Sequence, residues 1–324
     1  MSSPSFMFTS RFSALRSITR MALRFTQLQT ALAHKSLCHA VACLLALSTT
    51  HINAQALDKT STDDGKLPSV VSINLCADQL VLLLAAPEQI LSLSNLSHQE
   101  AGSHYFKQAR SYPVNEGHAE QVLGLEPDLV IAGQYSNKYT IDLLRETGLR
   151  VETLPIANDI DTMLSNIQTV SRWLGKKESG TAIVQKLNSQ LQALSTPPTV
   201  KPVAAVYDPN GYTSGAQSLR GQMMERSGWS NAAALAGIQH FGQLSLESII
   251  RLKPDALIVS PYSPGTYSRA QAMSKHPALL ASGVNPHIIN IPSRKTVCAG
   301  PWTIDVIEQL QAERLQHFGP DSHH

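Results

Sequence analysis

Apolar residues along this chain fall into short runs separated by stretches of helical spacing. VVSINL (70–75) is a buried-type strand, followed by a helix from about Asp78 to Ala86 that Pro87 closes. QILSLS (89–94) is the next strand. The HAEQVLGL helix (118–125) ends before Pro127, and DLVIAG (128–133) is a third strand. A helix IDLLRETG (141–148) stops at Gly148 and leads to RVETLP, a fourth strand. This alternation predicts a parallel sheet covered on both faces. Residues 159–195 break it. Met163, Ile167, Val170 and Leu174 recur at helical spacing, and Ile183, Val184, Leu187, Leu191 and Leu194 do so again after a polar Gly175–Gly180 interruption. The pattern then restarts with VAAVYD (203–208), a helix around LRGQMMERSG (219–228), SLESIIRL, DALIVS, a helix up to Gly283 and HIINIP (287–292). An amphipathic helix, TIDVIEQLQAERLQHF, closes it. The coarse plan is lobe, helical connector, lobe.

The two lobes carry an internal repeat. AEQVLGLEPDLVIAGQYS (119–136) aligns without a gap with LESIIRLKPDALIVSPYS (246–263). Glu120 meets Glu247, Pro127-Asp128 meets Pro254-Asp255, and Tyr135-Ser136 meets Tyr262-Ser263. One helix, Pro-Asp turn and strand is a common α/β unit; two copies in register imply two similar lobes.

Residues 1–56 stand apart. They contain Arg11, Arg16, Arg20, Arg24 and Lys35, no acidic residue, the apolar run LCHAVACLLAL (37–47), and an Ala54-x-Ala56 exit. These are the marks of a secretory signal peptide cleaved after Ala56. The apolar run continues past Cys43, so a lipid anchor there is not expected, and it is short for a membrane span. The whole chain carries 26 Lys and Arg against 24 Asp and Glu. Five of the basic residues leave with the leader, so the mature chain has 21 against 24, a net charge of −3, and makes no case for nucleic acid. Export to the periplasm is the expected localisation. Cys76 and Cys298 remain, one near each end of the mature chain.

Catalytic chemistry finds little support. GYTSG (211–215) supplies Tyr212, Thr213 and Ser214, but its serine stands one place late for a G-x-S-x-G nucleophile elbow. No acid/base pair is evident either, so no enzyme is expected; a secreted α/β enzyme is the rival class.

From residue 68 to about 318 the chain resembles the substrate-binding proteins of ATP-driven importers for iron–siderophore complexes, haem and vitamin B12. VVSINLCADQLVLLLAAPEQILSLS resembles that family's first strand, binding-site turn, helix and second strand. EQVLGLEPDLVIAG and ESIIRLKPDALIVS resemble its paired units, GYTSGAQSLRGQMMERSGWSNAA its second-lobe turn and helix, and CAGPWTIDVIEQL its final loop and helix. The resemblance implies two Rossmann-like α/β lobes with mainly parallel sheets, joined by a single long helix near residues 176–195, with the ligand cleft between them. The corresponding boundaries are 57–67 for a flexible lead-in, 68–158 for the N-terminal lobe, 159–198 for the connector, 199–318 for the C-terminal lobe and 319–324 for a tail.

The same resemblance implies a ligand set. Asn74, Leu75 and Cys76 follow the first strand. Tyr112, Tyr135, Tyr212 and Tyr262 offer rings near strand ends, and Ser214, Cys298 and Trp302 come from the second-lobe turn and final loop. Arg294 and Lys295 stand in the same loop as Cys298. The two cysteines are expected to face one cleft, where a disulfide, a polarisable lining, or ligation of the bound metal by one of them all stay open. The expected ligand is a corrinoid or an iron–siderophore complex, a metal chelate rather than a cofactor of the protein's own. Haem, with Tyr112 or a histidine as axial ligand, is the alternative. Zinc or manganese is a weaker one: His98, His104, His118 and His240 lack the tight spacing of a preformed metal site. Glu120 and Glu247 match the positions at which the family docks onto its permease dimer with its ATPase, and the binding protein is expected to be a monomer.

Overall fold

The computed structural model describes residues 66–194, 198, 200–261 and 272–319. The proposed leader, most of the lead-in, Tyr262 and the tail from residue 320 lie outside them. Among the described residues no helix is long and apolar enough to cross a membrane.

The first lobe is built on β1 (Val70–Ser72), β2 (Ile90–Ser94), β3 (Val114–Asn115), β4 (Leu129–Gly133) and β5 (Val151–Leu154). These pair in the order β3-β2-β1-β4-β5, all parallel. The second lobe has β6 (Val203–Val206), β8 (Ser230–Asn231), β10 (Ala256–Val259) and β11 (His287–Asn290), ordered β11-β10-β6-β8 and again parallel. Between them in sequence, β7 (Tyr212–Ser214) and β9 (Phe241–Gln243) form a small antiparallel pair. The expected α/β class with mainly parallel sheets is what the chain adopts.

The repeat recurs in the structure at its turn. Glu126 and Lys253 occupy matching positions and both take left-handed backbone, φ 47° and 45°, where the chain turns into its proline. Asp128 Oδ2 accepts from Ser69 N at 2.8 Å, at the threshold of β1, and from the Ser69 hydroxyl. Asp255 Oδ2 likewise accepts from Val203 N at 2.7 Å, the first residue of β6. Each Pro-Asp thus ties its own strand to the central strand beside it, so β1 corresponds to β6 and β4 to β10.

Two boundaries differ from expectation. The first strand ends at Ser72, and α1 (Leu75–Leu84) begins three residues earlier than the apolar pattern indicates. Asn74 is the cause: its Oδ1 accepts from Cys76 N at 3.0 Å and Ala77 N at 3.2 Å, an N-cap that satisfies two otherwise orphaned amides.

The helical stretch 159–195 contains α4 (Ile160–Trp173) and α5 (Lys177–Ala193). Ile160, Met163, Ile167 and Val170 of α4 join the first lobe's core beside Val70 and Leu80, and Val184 and Leu187 of α5 belong to the same apolar cluster. That cluster continues into the second lobe through Ala204, Trp229 and Ile304. Where the two helices cross, a Cβ on Gly180 would stand 2.1 Å from Ser171 Oγ, so glycine is required for the approach.

Candidate functional site

In the first sheet the chain moves to one side from β1 to β2 and to the other from β4 to β5. Open parallel sheets bind ligands at such a switch point, beyond the carboxyl ends of the strands. A cavity of about 200 Å³ lies there. Its floor comes from the ends of three strands: Asn74 and Cys76 after β1, Gly133 to Tyr135 after β4, and Leu154 to Ala157 after β5. Leu80 and Asn166 line it from α1 and α4, and Val297 to Ala299 of the second lobe close its far side. No residue lining this cavity is charged.

The local chemistry explains the shape. A Cβ on Gly133 would lie 2.4 Å from Asn74 Nδ2, so only glycine lets the capping asparagine sit against β4. Asn166 Nδ2 donates to Pro155 O at 2.9 Å and Ile156 N donates to Gln134 Oε1 at 3.3 Å, fixing the loop after β5.

Cys76 and Cys298 form a disulfide with Cα atoms 5.3 Å apart, and both line the cavity. Of the readings left open by the sequence, a bond, a polarisable lining or a metal ligand, the bond is the one realised. It joins the first turn of α1 to the loop before α8 (Trp302–Phe318). Other contacts join the lobes beside it. Trp302 is 2% exposed, stacks on His104 at 4.5 Å, meets the edge of Tyr105 at 5.6 Å, and donates from Nε1 to Cys298 O at 2.8 Å. The Ser293 hydroxyl donates to Ala101 O, Arg294 reaches Glu100 at 3.8 Å, and Ile160 N donates to Gln222 Oε1 at 2.9 Å. Burial, and the nearby Lys295 cation, hold the His104 imidazole below its ordinary pKa.

The expected ligand set therefore divides. Asn74, Cys76, Tyr135 and Cys298 come together at the cavity, with Tyr135 83% exposed. Leu75 is half-buried in the first helical turn and does not line it. Trp302 is a correction: its indole is consumed by the interlobe stack and has no face left for a ligand. Ser214 is another, being 3% exposed in β7 with its carbonyl accepting from Asn231 Nδ2 at 2.9 Å. Tyr112 packs half-buried against the core, and Tyr212 is 55% exposed but outside this cavity.

The four histidines weighed as metal ligands do not converge. His98 meets Ala109 O, His104 the Trp302 ring, His118 Glu116, and His240 Gln217 O. Lys295 lies 3.7 Å from Asp305.

Sequence reasoning missed the loop after β5 and Asn166, although the strand-end rule applied to RVETLP points to Leu154 and Pro155. It also missed the second lobe's own switch point, between β6 and β10. There Arg220 pairs with Asp208, which follows β6, and donates to Ser260 Oγ at 2.9 Å, which follows β10.

Glu120 and Glu247 are both exposed in the first turns of α2 (Ala119–Leu123) and α7 (Leu246–Leu252). Each helix leads into a strand that runs toward the cleft, so each helix start lies at the cleft end of its lobe. The Ser245 hydroxyl and the residue's own backbone amide hold the Glu247 carboxyl below the usual range.

Comparison with known proteins agrees with this geometry. Residues 70–294 match the family profile described as periplasmic binding protein. A cobalamin-binding protein of Halobacterium salinarum is 25% identical over 251 residues, 73% of this chain and 68% of that one. The molybdate-binding protein MolA of Haemophilus influenzae is 24% identical over 263 residues, 69% of this chain and 74% of that protein. Among solved structures, the periplasmic haem-binding protein HutB of Vibrio cholerae superposes with a TM-score of 0.63 at 20% identity, covering 76% of this chain and 98% of that one. The periplasmic vitamin B12-binding protein BtuF of the same organism gives 0.54 at 17%, covering 76% and 96%. The extent of the profile match and the twin parallel-sheet lobes lead to one conclusion: this chain belongs to the periplasmic binding protein family.

Proposed function

We propose that this protein is exported by its N-terminal leader, captures a corrinoid in the interlobe cleft, and delivers it to an inner-membrane ABC importer. An iron–siderophore complex is the next choice of cargo. The observation that carries the reading is the lining of the cleft, which is mostly apolar and holds amide side chains but no charge, thiolate or histidine. Bare zinc or manganese needs histidine, carboxylate or thiolate donors. An oxyanion needs cations or converging amide hydrogens. A corrinoid instead offers a broad apolar ring edged with neutral carboxamides, which suit Asn74, Gln134 and Asn166, with Tyr135 to pack on the ring. At about 200 Å³ the cavity receives one edge of such a ligand, and the rest extends between the lobes.

Haem is disfavoured by the same lining. Tyr112 is half-buried against the core, and His98, His104, His118 and His240 are occupied elsewhere. Glu120 and Glu247 present one carboxylate from each lobe, the arrangement a permease dimer with two equivalent basic patches would require. Such rim charges add rate and orientation more than affinity. A monomer meets both patches at once.

Equilibrium dialysis of the oxidised protein against cyanocobalamin, a ferric hydroxamate and haemin tests the reading. Saturable one-to-one retention of cyanocobalamin is expected. Retention of haemin alone, or of none of the three, overturns it.

A further inference from the structure

At the end of the second lobe away from the cleft, His287, Glu313 and His317 bring their ligand atoms within 4.8 Å of one another. His287 opens the edge strand β11, and Glu313 and His317 stand one turn apart on α8. His287 Nε2 lies 2.9 Å from Glu313 Oε2, His317 Nε2 lies 3.7 Å from the same oxygen, and the two imidazole centroids are 4.0 Å apart with their planes tilted by 33°. We propose that these three side chains form a binding site for a divalent transition-metal ion of the zinc type, distinct from the cargo cleft.

The donor set is chemically apt. Two imidazoles and a carboxylate form a borderline-soft N₂O triad of the kind zinc accepts, with a fourth position open to water. Bond lengths of 2.0–2.1 Å put tetrahedral ligand atoms about 3.3 Å apart. The observed 2.9 and 3.7 Å bracket that edge. His317 is exposed, so its ring has room to close the remaining gap by a change of side-chain torsion. Binding requires a neutral nitrogen lone pair on each imidazole, so the ion competes with protons for these ligands.

Position separates this site from the cleft. Helix α8 begins at Trp302, whose Nε1 bonds Cys298 O beside the cavity. Glu313 and His317 lie three to four turns further on, roughly 16–22 Å at 1.5 Å per residue. An ion there would clamp the terminal helix to the edge strand of the second sheet. Its expected effect is on thermal stability, not cargo affinity.

The test uses full-length mature protein without an affinity tag. Zinc calorimetry should give one site per chain, zinc should raise the melting temperature relative to EDTA, and cobalt(II) should develop strong tetrahedral visible absorption. His287→Ala and Glu313→Gln should each weaken zinc binding by at least the roughly ten- to hundredfold that loss of an outer-shell partner costs. His323→Ala/His324→Ala, which removes the tail imidazoles, should bind as the parent does. If H287A and E313Q fold normally yet bind zinc as the parent does, the assignment is wrong. Absence of any zinc heat from the parent, or loss of binding only in the tail variant, overturns it equally.

Discussion

Replacing both cysteines, C76S/C298S, removes a cross-link that spans 222 residues of sequence. The loop-closure relation assigns a bridge of that length about 5 kcal/mol, chiefly through the entropy it denies the unfolded chain. That figure is a ceiling, since residual structure in the unfolded chain reduces it. The native state should change little, because the Trp302 stack on His104 and the hydrogen bond to Cys298 O stay in place without the sulfur–sulfur bond. The loss therefore belongs in the equilibrium, not in the folded geometry. Urea unfolding followed by tryptophan fluorescence reads it. With a slope of about 3 kcal/mol per molar, the midpoint should fall by roughly 1.5 M, and the oxidised parent treated with reductant should fall to the same place. Equal midpoints for the oxidised parent and the double variant would show that the bridge does not stabilise the fold. So would a change confined to the slope, which would mean the lobes unfold separately and the bridge constrains neither.

Three other perturbations follow from the same geometry. Burial pushes the Asp78 carboxyl from its ordinary 3.8 up to about 7, against the hydrogen bonds from Ser72 and Ser94 that lower it. Between pH 4 and 7 the unfolded chain has then released a proton that the folded chain keeps, so stability should fall as pH rises through that window. The ceiling is about 4 kcal/mol, and Asp78→Asn should flatten the dependence in melting curves taken from pH 4 to 8. Gly133→Ala should displace Asn74 from its cap, costing about 1 kcal/mol of stability and weakening cargo binding; unchanged denaturation and dialysis would contradict the capping account. Glu120→Lys/Glu247→Lys should leave cargo binding by the isolated protein intact while abolishing uptake in cells, and normal uptake by that variant would remove the docking role.

How much of this was legible beforehand depended on the length of each signal. Strands with four or more consecutive apolar or β-branched residues, such as DLVIAG and DALIVS, announce themselves. β3 and β8 are two residues long, and β7 and β9 are three, too short for any periodicity to register. The sequence leaves the start of α1 ambiguous because Asn74 reads equally as the end of a strand and as a cap. Only the side-chain hydrogen bonds distinguish them. The repeat foretold the equivalence of the lobes, yet nothing in it shows that Asp128 and Asp255 tie neighbouring strands, since the partners lie 59 and 52 residues away. Trp302 is the opposite case: an aromatic in this loop invites assignment to the ligand, but His104 and Tyr105 from the other lobe pack against it. The His287, Glu313 and His317 grouping carries just one local signal, the four-residue spacing on α8. Its third member is 26 residues from Glu313 and is delivered by the sheet.

Cargo binding in the cavity at the ends of β1, β4 and β5 is open to direct test. The experiment is calorimetric titration of cyanocobalamin into the oxidised parent and into Ile156→Trp. Ile156 is 43% exposed on the cavity rim, so an indole there fills the cleft without disturbing the core. The expected result is one corrinoid per parent chain and affinity at least about tenfold lower in I156W, the loss of 1.4 kcal/mol or more that steric exclusion entails. Equal binding by parent and variant, or no heat from either, would contradict it.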